Sequence, residues 1–462
     1  MQRTERPDAA TLDSDRVAQL ISSEEERFRR AHGHSETLWQ RARRSMPRGV
    51  PSSFQDAKPL PVFLREGKGS RVVDVDGNEY IDFHNGFGVM AVGHAHPLIV
   101  DAVSARVRLG SHFAQPVEDA IVVAEELSRR FSQPQWRFTN SGTESTLDAV
   151  RLARAFTGRD HLLKIEASYH GHHDALMVSV EPPAELMGPL EHPASVPQSE
   201  GIPHDIVEMT RVVPFNDLAA MRQVLSQQSA GIAAVIVEPV MMNCGIISPD
   251  PGYLEGVREL AHEHGALLIF DEVKTGITIA AGGATERFGV VPDIVCLAKA
   301  FGGGLPCGAV GGRADVMGLI DDGRVAQMGT FNANPLTMTA AKTTLRDILT
   351  GSAYSHFDAL AEVLEGGLNG VIHDHSLPFH VITMGARGGV TYRAERVRNY
   401  RDYLDIDKSY AYLSWLYQCN RGVLMAPGAE ENWTLSVQHS ESEVQRYVDN
   451  FAEMARNLTA IS

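Results

Sequence analysis

Lysine is a poor choice for the end of a buried strand, because its ammonium must be paired, kept in water or consumed by chemistry. Lys299 stands in such a place, in "LAKAFGGGLP", between an apolar run and three glycines. Three other polar groups follow apolar runs in the same way: Asn140-Ser141-Gly142-Thr143 after "WRF", Asn243 after "VIVEPV", and Asp271 after "LLIF". In an open α/β sheet, ligands bind beyond the carboxyl ends of the strands, so these groups would meet on one rim. Each has a plainer reading when taken alone. An aspartate at a strand end, for instance, commonly caps a helix.

"NSGTES" has the form of a small-residue turn opening a helix. The backbone N–H groups of Gly142 and Thr143, with the hydroxyls of Ser141 and Thr143, would cradle an anion at the positive end of the helix dipole. The bland alternative is a Ser cap with Glu144 in the first turn. "SYHGHHD" invites a metal reading through His170, His172, His173 and Asp174, but the spacing is not that of an HExxH pair and no cysteine joins it; we expect no metal. Its useful members are Tyr169 and His170, an aromatic pair suited to stacking on a flat ligand. No GxGxxG or GxxxxGK[ST] occurs, so neither a dinucleotide nor an NTP has its usual fingerprint. A phosphate cradle, a stacking aromatic, a strand-end carboxylate and a strand-end amine together fit pyridoxal phosphate. The cradle would take the phosphate, the carboxylate would keep the pyridine nitrogen protonated, and the lysine would react with the aldehyde. A partly desolvated amine near a cationic ring is nucleophilic at neutral pH. The three glycines after Lys299 would then leave the backbone free of side chains that crowd the substrate.

The elements needed to hold these groups are legible along the 462 residues. From about residue 100 to 330, apolar runs of the doubly buried kind ("HLLKIEA", "AAVIVEPV", "ALLIFDEV", "DIVCLAK") alternate with amphipathic stretches such as "STLDAVRLARAFTG". That alternation predicts an α/β protein with a mostly parallel sheet covered on both faces. Before it, a polar helix-prone segment leads to "SRVVDVDGNEYIDF", two alternating runs around Asp76-Gly77 that signal a hairpin. After it, helices and the strand-like "WTLSVQH" form a smaller α/β unit. We divide the chain into a 1–75 segment contributing to a small domain, a 76–335 large domain and a 336–462 small domain. "VEPPAELMGPLEHPASVPQSEGIPHD" is far longer than an ordinary connection, and loops of that length are usually lids or disordered.

Composition narrows the partners. A formal charge of −16 argues against nucleic acid, and the basic "RARRSMPRG" reads as a solvated run. Four scattered cysteines without CxxC spacing suit a reducing compartment. No apolar run is long enough for a membrane span, and a cytoplasmic protein is expected.

With the motifs in view, "TNSGTES", "YHGHHD", "VIVEPVMMN", "LLIFDEVKTG", "LAKAFGGGLPCGAVGGR" and "GTFNANP" resemble, in order, those of the class III, fold type I aminotransferases. The resemblance runs from about residue 40 to the C-terminus. It is greatest to the branch containing glutamate-1-semialdehyde 2,1-aminomutase, through "GKGSRVVDVDGNEYIDF" and "GVLMAPGAEENWTLSVQHSESEV". It implies a large domain with a mostly parallel central sheet and a smaller domain built from both chain ends. It also implies that Lys299 anchors the cofactor covalently and moves the substrate proton, and that Asp271 pairs with the pyridine nitrogen. By the same token Gly142 and Thr143 hold the phosphate, Tyr169 and Val273 cover the two ring faces, and Glu238 and Asn243 lie at the ring's polar edge. Thr330 would reach the cofactor of a second subunit, making a homodimer the minimum active unit. Phe87 falls where the aminomutase has a pocket tryptophan, and Glu431 where it has an active-site glutamate. Gln55 falls where that branch carries a carboxylate-binding arginine, and Ile277-Thr278 where relatives often show Phe-Arg. Arg387 or Arg48 could meet a carboxylate instead. These features lead us to expect transfer of an amino group from a bulky, aromatic or β-amino donor to a keto acceptor. The alternative is an intramolecular aminomutase with the long segment as its lid.

Overall fold

The computed structural model describes residues 12–227, 231–428 and 431–460. Three strands near the N-terminus, β1 (Leu64–Lys68), β2 (Arg71–Asp74) and β3 (Glu79–Asp82), precede seven that build the large sheet. Those seven are β4 (Gln135–Thr139), β5 (His161–Ile165), β6 (Thr210–Val213), β7 (Ile232–Val237), β8 (Leu267–Asp271), β9 (Ile294–Ala298) and β10 (Gly308–Gly312). Four more follow: β11 (His380–Met384), β12 (Arg387–Thr391), β13 (Val423–Leu424) and β14 (Trp433–Thr434).

The large sheet has the order β4-β10-β9-β8-β7-β5-β6. Every pairing from β9 to β6 is parallel, and only β10 runs against its neighbours. The apolar runs form its centre, and every residue of β7, β8 and β9 is buried, as strands covered on both faces require. β10 carries no apolar run, because "GAVGG" packs by what it lacks. A Cβ on Gly311 would press 2.7 Å from the Trp136 indole, and one on Gly308 would strike Thr139 and Ser141.

The helix Gly142–Thr157 covers this sheet. Ser141 caps it by accepting from the Glu144 amide, and Gly158 ends it in the left-handed conformation, φ 67°. The hairpin around Asp76-Gly77 forms between β2 and β3. β13 then lies parallel to β3, pairing Val423 with Ile81 and Leu424 with Asp82, so the two chain ends share one four-stranded sheet. Of "WTLSVQH" only Trp433–Thr434 is strand, and it joins β12 at the edge of a three-stranded antiparallel sheet.

Two expectations need correction. The glycines after Lys299 face packing neighbours rather than an open substrate path. Gly303 and Gly304 adopt φ of 60° and 96°, and Cβ atoms there would press on Thr344 and Met90. Residues 181–203 hold no helix or strand, yet the segment is fastened down. Arg401 donates to the carbonyls of Gly188 and Met187 at 3.1 and 3.2 Å, and Met187 is buried. Among the described residues no helix is long and apolar enough to cross a membrane.

Candidate active site

β7, β8 and β9 end side by side, and a cavity of about 240 Å³ opens beyond them. Asp271 is the last residue of β8, and Lys299 follows the last residue of β9. Both line the cavity, with Glu238 and Asn243 from the segment after β7 and Gly142 and Thr143 from the helix that follows β4. Sheet topology therefore assembles groups separated by more than a hundred residues of chain.

Asp271 is buried and doubly held. One carboxylate oxygen accepts from the Val273 amide at 3.0 Å, and the other pairs with His170 Nδ1 at 2.8 Å. The first bond is the capping role that a strand-end aspartate often plays; the second has no such use. His170 is fully buried, so the pair is dry and the hydrogen bond is charge-assisted. His170 thus braces Asp271 and lines the cavity beside it.

Lys299 adopts φ 57°, a left-handed conformation that costs a non-glycine residue about 1–2 kcal/mol. The strain aims its side chain into the cavity. Burial, then the neighbouring charges of Lys274 and Arg387, bring its pKa down to about 8 from the usual 10.5. A substantial neutral fraction therefore exists near physiological pH. Glu238 behaves in the opposite way, its pKa raised chiefly by burial. It accepts from the Tyr169 amide at 2.8 Å and from Asn243 Nδ2 at 2.9 Å, which fixes the loop carrying Tyr169.

Two close approaches keep the floor of the cavity open. A Cβ on Gly142 would come within 2.9 Å of Val273, and one on Gly171 within 2.6 Å of the Thr143 hydroxyl. The helix therefore presents bare backbone N–H groups beside Thr143 Oγ1, which His172 holds at 3.1 Å through Nδ1. On the opposite side the wall is aromatic. Phe54 meets Tyr169 edge-on at 5.7 Å and Phe87 at 5.8 Å, while His84 meets Phe87 at 4.3 Å.

Ten residues singled out in the sequence thus line one cavity: Phe87, Gly142, Thr143, Tyr169, His170, Glu238, Asn243, Asp271, Val273 and Lys299. Ser141 does not; its hydroxyl is spent on the helix cap. Thr330 is exposed, away from this cavity, in a separate surface hollow with Phe113 and Gln327. Gln55 is exposed too, and its neighbour Phe54 takes the place on the wall, because the tight turn Ser53–Gln55 sends successive side chains in different directions. Glu431 is buried behind the wall, ion-paired with Lys274 at 2.8 Å and Arg387 at 2.9 Å. The residues 181–203 contribute nothing to the lining.

Sequence reasoning passed over Phe54 and Lys274, both of which line the cavity. For Lys274 there was a signal: a lysine three residues beyond the strand end in "DEVK", where the chain must still be turning over the site. Phe54 carried none.

An amine, a braced carboxylate, a bare helix N-terminus and an aromatic in one cavity lining are the donor set that pyridoxal phosphate requires, and glycines keep the room for it. Comparison with known proteins agrees with this chemistry. The family model "Aminotransferase class-III" matches residues 53–412. The chain belongs to the class III aminotransferases. These are pyridoxal phosphate-dependent enzymes of fold type I, and the α/β sheet described above is of that kind. A glutamate-1-semialdehyde 2,1-aminomutase of Methanothermobacter thermautotrophicus is 39% identical over 427 residues, 92% of this chain and 99% of that protein. Among solved structures, an omega-transaminase from Sphaerobacter thermophilus superposes with a TM-score of 0.86 at 33% identity, covering 92% of this chain and 98% of its own. A glutamate-1-semialdehyde-aminomutase from Pseudomonas aeruginosa gives 0.88 at 31% identity, covering 97% and 99%.

Proposed function

We propose that this class III enzyme moves an amino group from a donor bearing an apolar or aromatic substituent to a keto acceptor, in two half-reactions at the cavity described. The observation that carries the reading is the meeting of Lys299 and Asp271 at adjacent strand ends beside the bare helix N-terminus. Lys299 is the covalent anchor of pyridoxal phosphate. Its amine would also hold and move the proton of the substrate carbon, a task suited to a group whose pKa lies at about 8. Asp271, braced by His170, would hold the pyridine nitrogen in its protonated form. Gly142 and Thr143 balance the phosphate's charge with backbone N–H groups and a hydroxyl. Tyr169 and Val273 would cover the ring, and Glu238 and Asn243 would meet its polar edge. The cofactor, when bound, supplies the electron sink that acidifies the substrate C–H bond. Phe54 and Phe87 receive the substituent. Thr330 lies exposed beside Met328 and Phe331, which are 86% and 59% exposed, an apolar surface that a second copy of the chain would cover.

A second reading is intramolecular amino transfer, favoured by the curated relatives, which carry the name aminomutase. Against it stands the long segment that would serve as lid, which Arg401 fastens down and which lines no part of the cavity. The requirement for a second substrate separates the two. Transamination predicts that an amine donor alone gives one equivalent of carbonyl product and then stops until a keto acid is added. Sustained conversion of one substrate with no keto acid would establish the mutase instead.

A further inference from the structure

One buried amine takes no part in the proposed reaction. Lys164 stands in β5 between Leu163 and Ile165, and its side chain is wholly shut off from solvent. A charged amine in such a place costs free energy unless something there needs its donors. Burial brings its pKa down to about 7 from the usual 10.5, although the nearby charges of Glu238 and Glu166 act the other way. Neither carboxylate is its partner. Glu166 spends both oxygens on Arg401, at 2.9 and 2.7 Å, and Glu238 holds the Tyr169 amide and Asn243. Lys164 Nζ instead donates to two backbone carbonyls, those of Ser168 at 2.8 Å and Val178 at 2.6 Å.

Those two carbonyls mark the ends of one loop. Between them run Tyr169, His170 and Gly171, which line the cavity, and His172, whose Nδ1 lies 3.1 Å from Thr143 Oγ1. The chain is left-handed just outside both ends. Ala167 has φ 64° and Ser179 φ 47°, and the Ala167 amide donates to the Ser179 carbonyl at 2.8 Å. Neither residue is a glycine, so both positions are strained and persist only where the surroundings hold them. A methionine would fill the space of the Lys164 stem without burying an amine, but it could not draw two converging carbonyls together. Two donors suffice for that, and the lysine head keeps at least two whether or not it carries its third proton.

We propose that Lys164 is a positioning residue of the cofactor site: its bonds to Ser168 and Val178 fix the loop that sets Tyr169 in the cavity wall and His170 against Asp271. Asp271 ends β8, and β7 lies between that strand and β5, so Lys164 acts from two strands away. It does so through the loop, because His170 follows Ser168 by two residues and meets Asp271 at 2.8 Å. The inference rests on the reading of the cavity as the pyridoxal phosphate site, and it holds for a transaminase and a mutase alike.

The test compares the wild type with Lys164→Met, which keeps the stem and removes the donors. Amide hydrogen exchange is read by mass spectrometry on the apoprotein. It should quicken about tenfold or more in residues 167–179, the size of one lost charge-assisted hydrogen bond, and stay within about twofold in β7 and β8. Pyridoxal phosphate should then bind about tenfold more weakly. The visible circular dichroism of the bound cofactor, a signature of a ring held at one angle, should shrink. If Lys164→Met does not fold, Lys164→Gln replaces it with the same changes expected, because its amide is one bond too short to hold both carbonyls. Loop exchange that matches the wild type, or that quickens equally across the whole sheet, overturns the proposal and reduces Lys164 to packing. A faster loop with unchanged cofactor affinity and dichroism overturns it as well, since the loop would then not set the site. Failure of the cofactor reading appears separately, as wild-type protein that binds no pyridoxal phosphate, and leaves the exchange comparison standing.

Discussion

Replacing His170 by phenylalanine isolates the brace behind Asp271. The two side chains meet at 2.8 Å and are 0% and 4% exposed, so no water replaces the lost donor. A hydrogen bond to a charged group is worth about 1.5–3 kcal/mol, and the aspartate oxygen left behind is buried and unpaired. If Asp271 must face the cavity for cofactor binding and proton transfer, that loss becomes roughly a 10- to 150-fold fall in cofactor affinity, in kcat, or divided between them. Phenylalanine keeps most of the ring's volume. The residue's backbone carbonyl still accepts from Thr146 Oγ1 at 2.6 Å, so the fold itself should hold. His170→Asn supplies the control, because its amide nitrogen can stand where Nδ1 stood and should restore most of the loss. The assay is titration of the apoprotein with pyridoxal phosphate by absorbance, followed by steady-state rates and a thermal melt. Phenylalanine within about threefold of the wild type would refute the bracing role. Equal losses for asparagine and phenylalanine would reduce His170 to a packing residue.

Other expectations follow from the same geometry. The reaction of the apoprotein's Lys299 with pyridoxal phosphate should rise with pH and level off above about 8, because the lowered pKa leaves the neutral amine dominant there. A rate still climbing toward 10.5 would mean that burial and the nearby cations do not act as described. Asp271→Asn keeps the shape but removes the charge. It should lower kcat by several orders of magnitude while the melting temperature changes little, and a mild effect would leave the residue only its bond to the Val273 amide. Gly88→Ala should destabilise the fold by about 2–4 kcal/mol in chemical denaturation, since φ 77° and the guanidinium both oppose a Cβ. A change under 1 kcal/mol would show that Arg387 is free to move aside.

The sequence revealed most where burial and chemistry conflict. Lys299 and Asp271 end strands whose residues are all buried, and a polar group in that position demands a reason. The helix at Gly142 was visible through its cap and its glycine stop. β10 was not visible, because three glycines among five residues carry no strand signal and the strand is dictated by Trp136 and Ser141 across the sheet. Long-range partners were hidden for the same reason. Nothing near Glu431 in the chain announces Lys274 and Arg387, which arrive from after β8 and from β12. Phe54 entered the wall, and its neighbour Gln55 did not, through the direction of one turn that periodicity cannot give.

Two lysines, Lys274 and Lys299, line the cavity, and the account requires only one of them to carry the cofactor. Borohydride reduction of the cofactor-loaded enzyme, followed by digestion and peptide mass mapping, decides between them. The account predicts the reduced pyridoxyl group on the peptide containing Lys299, and none on that containing Lys274. The label on Lys274, or on neither peptide, would contradict it.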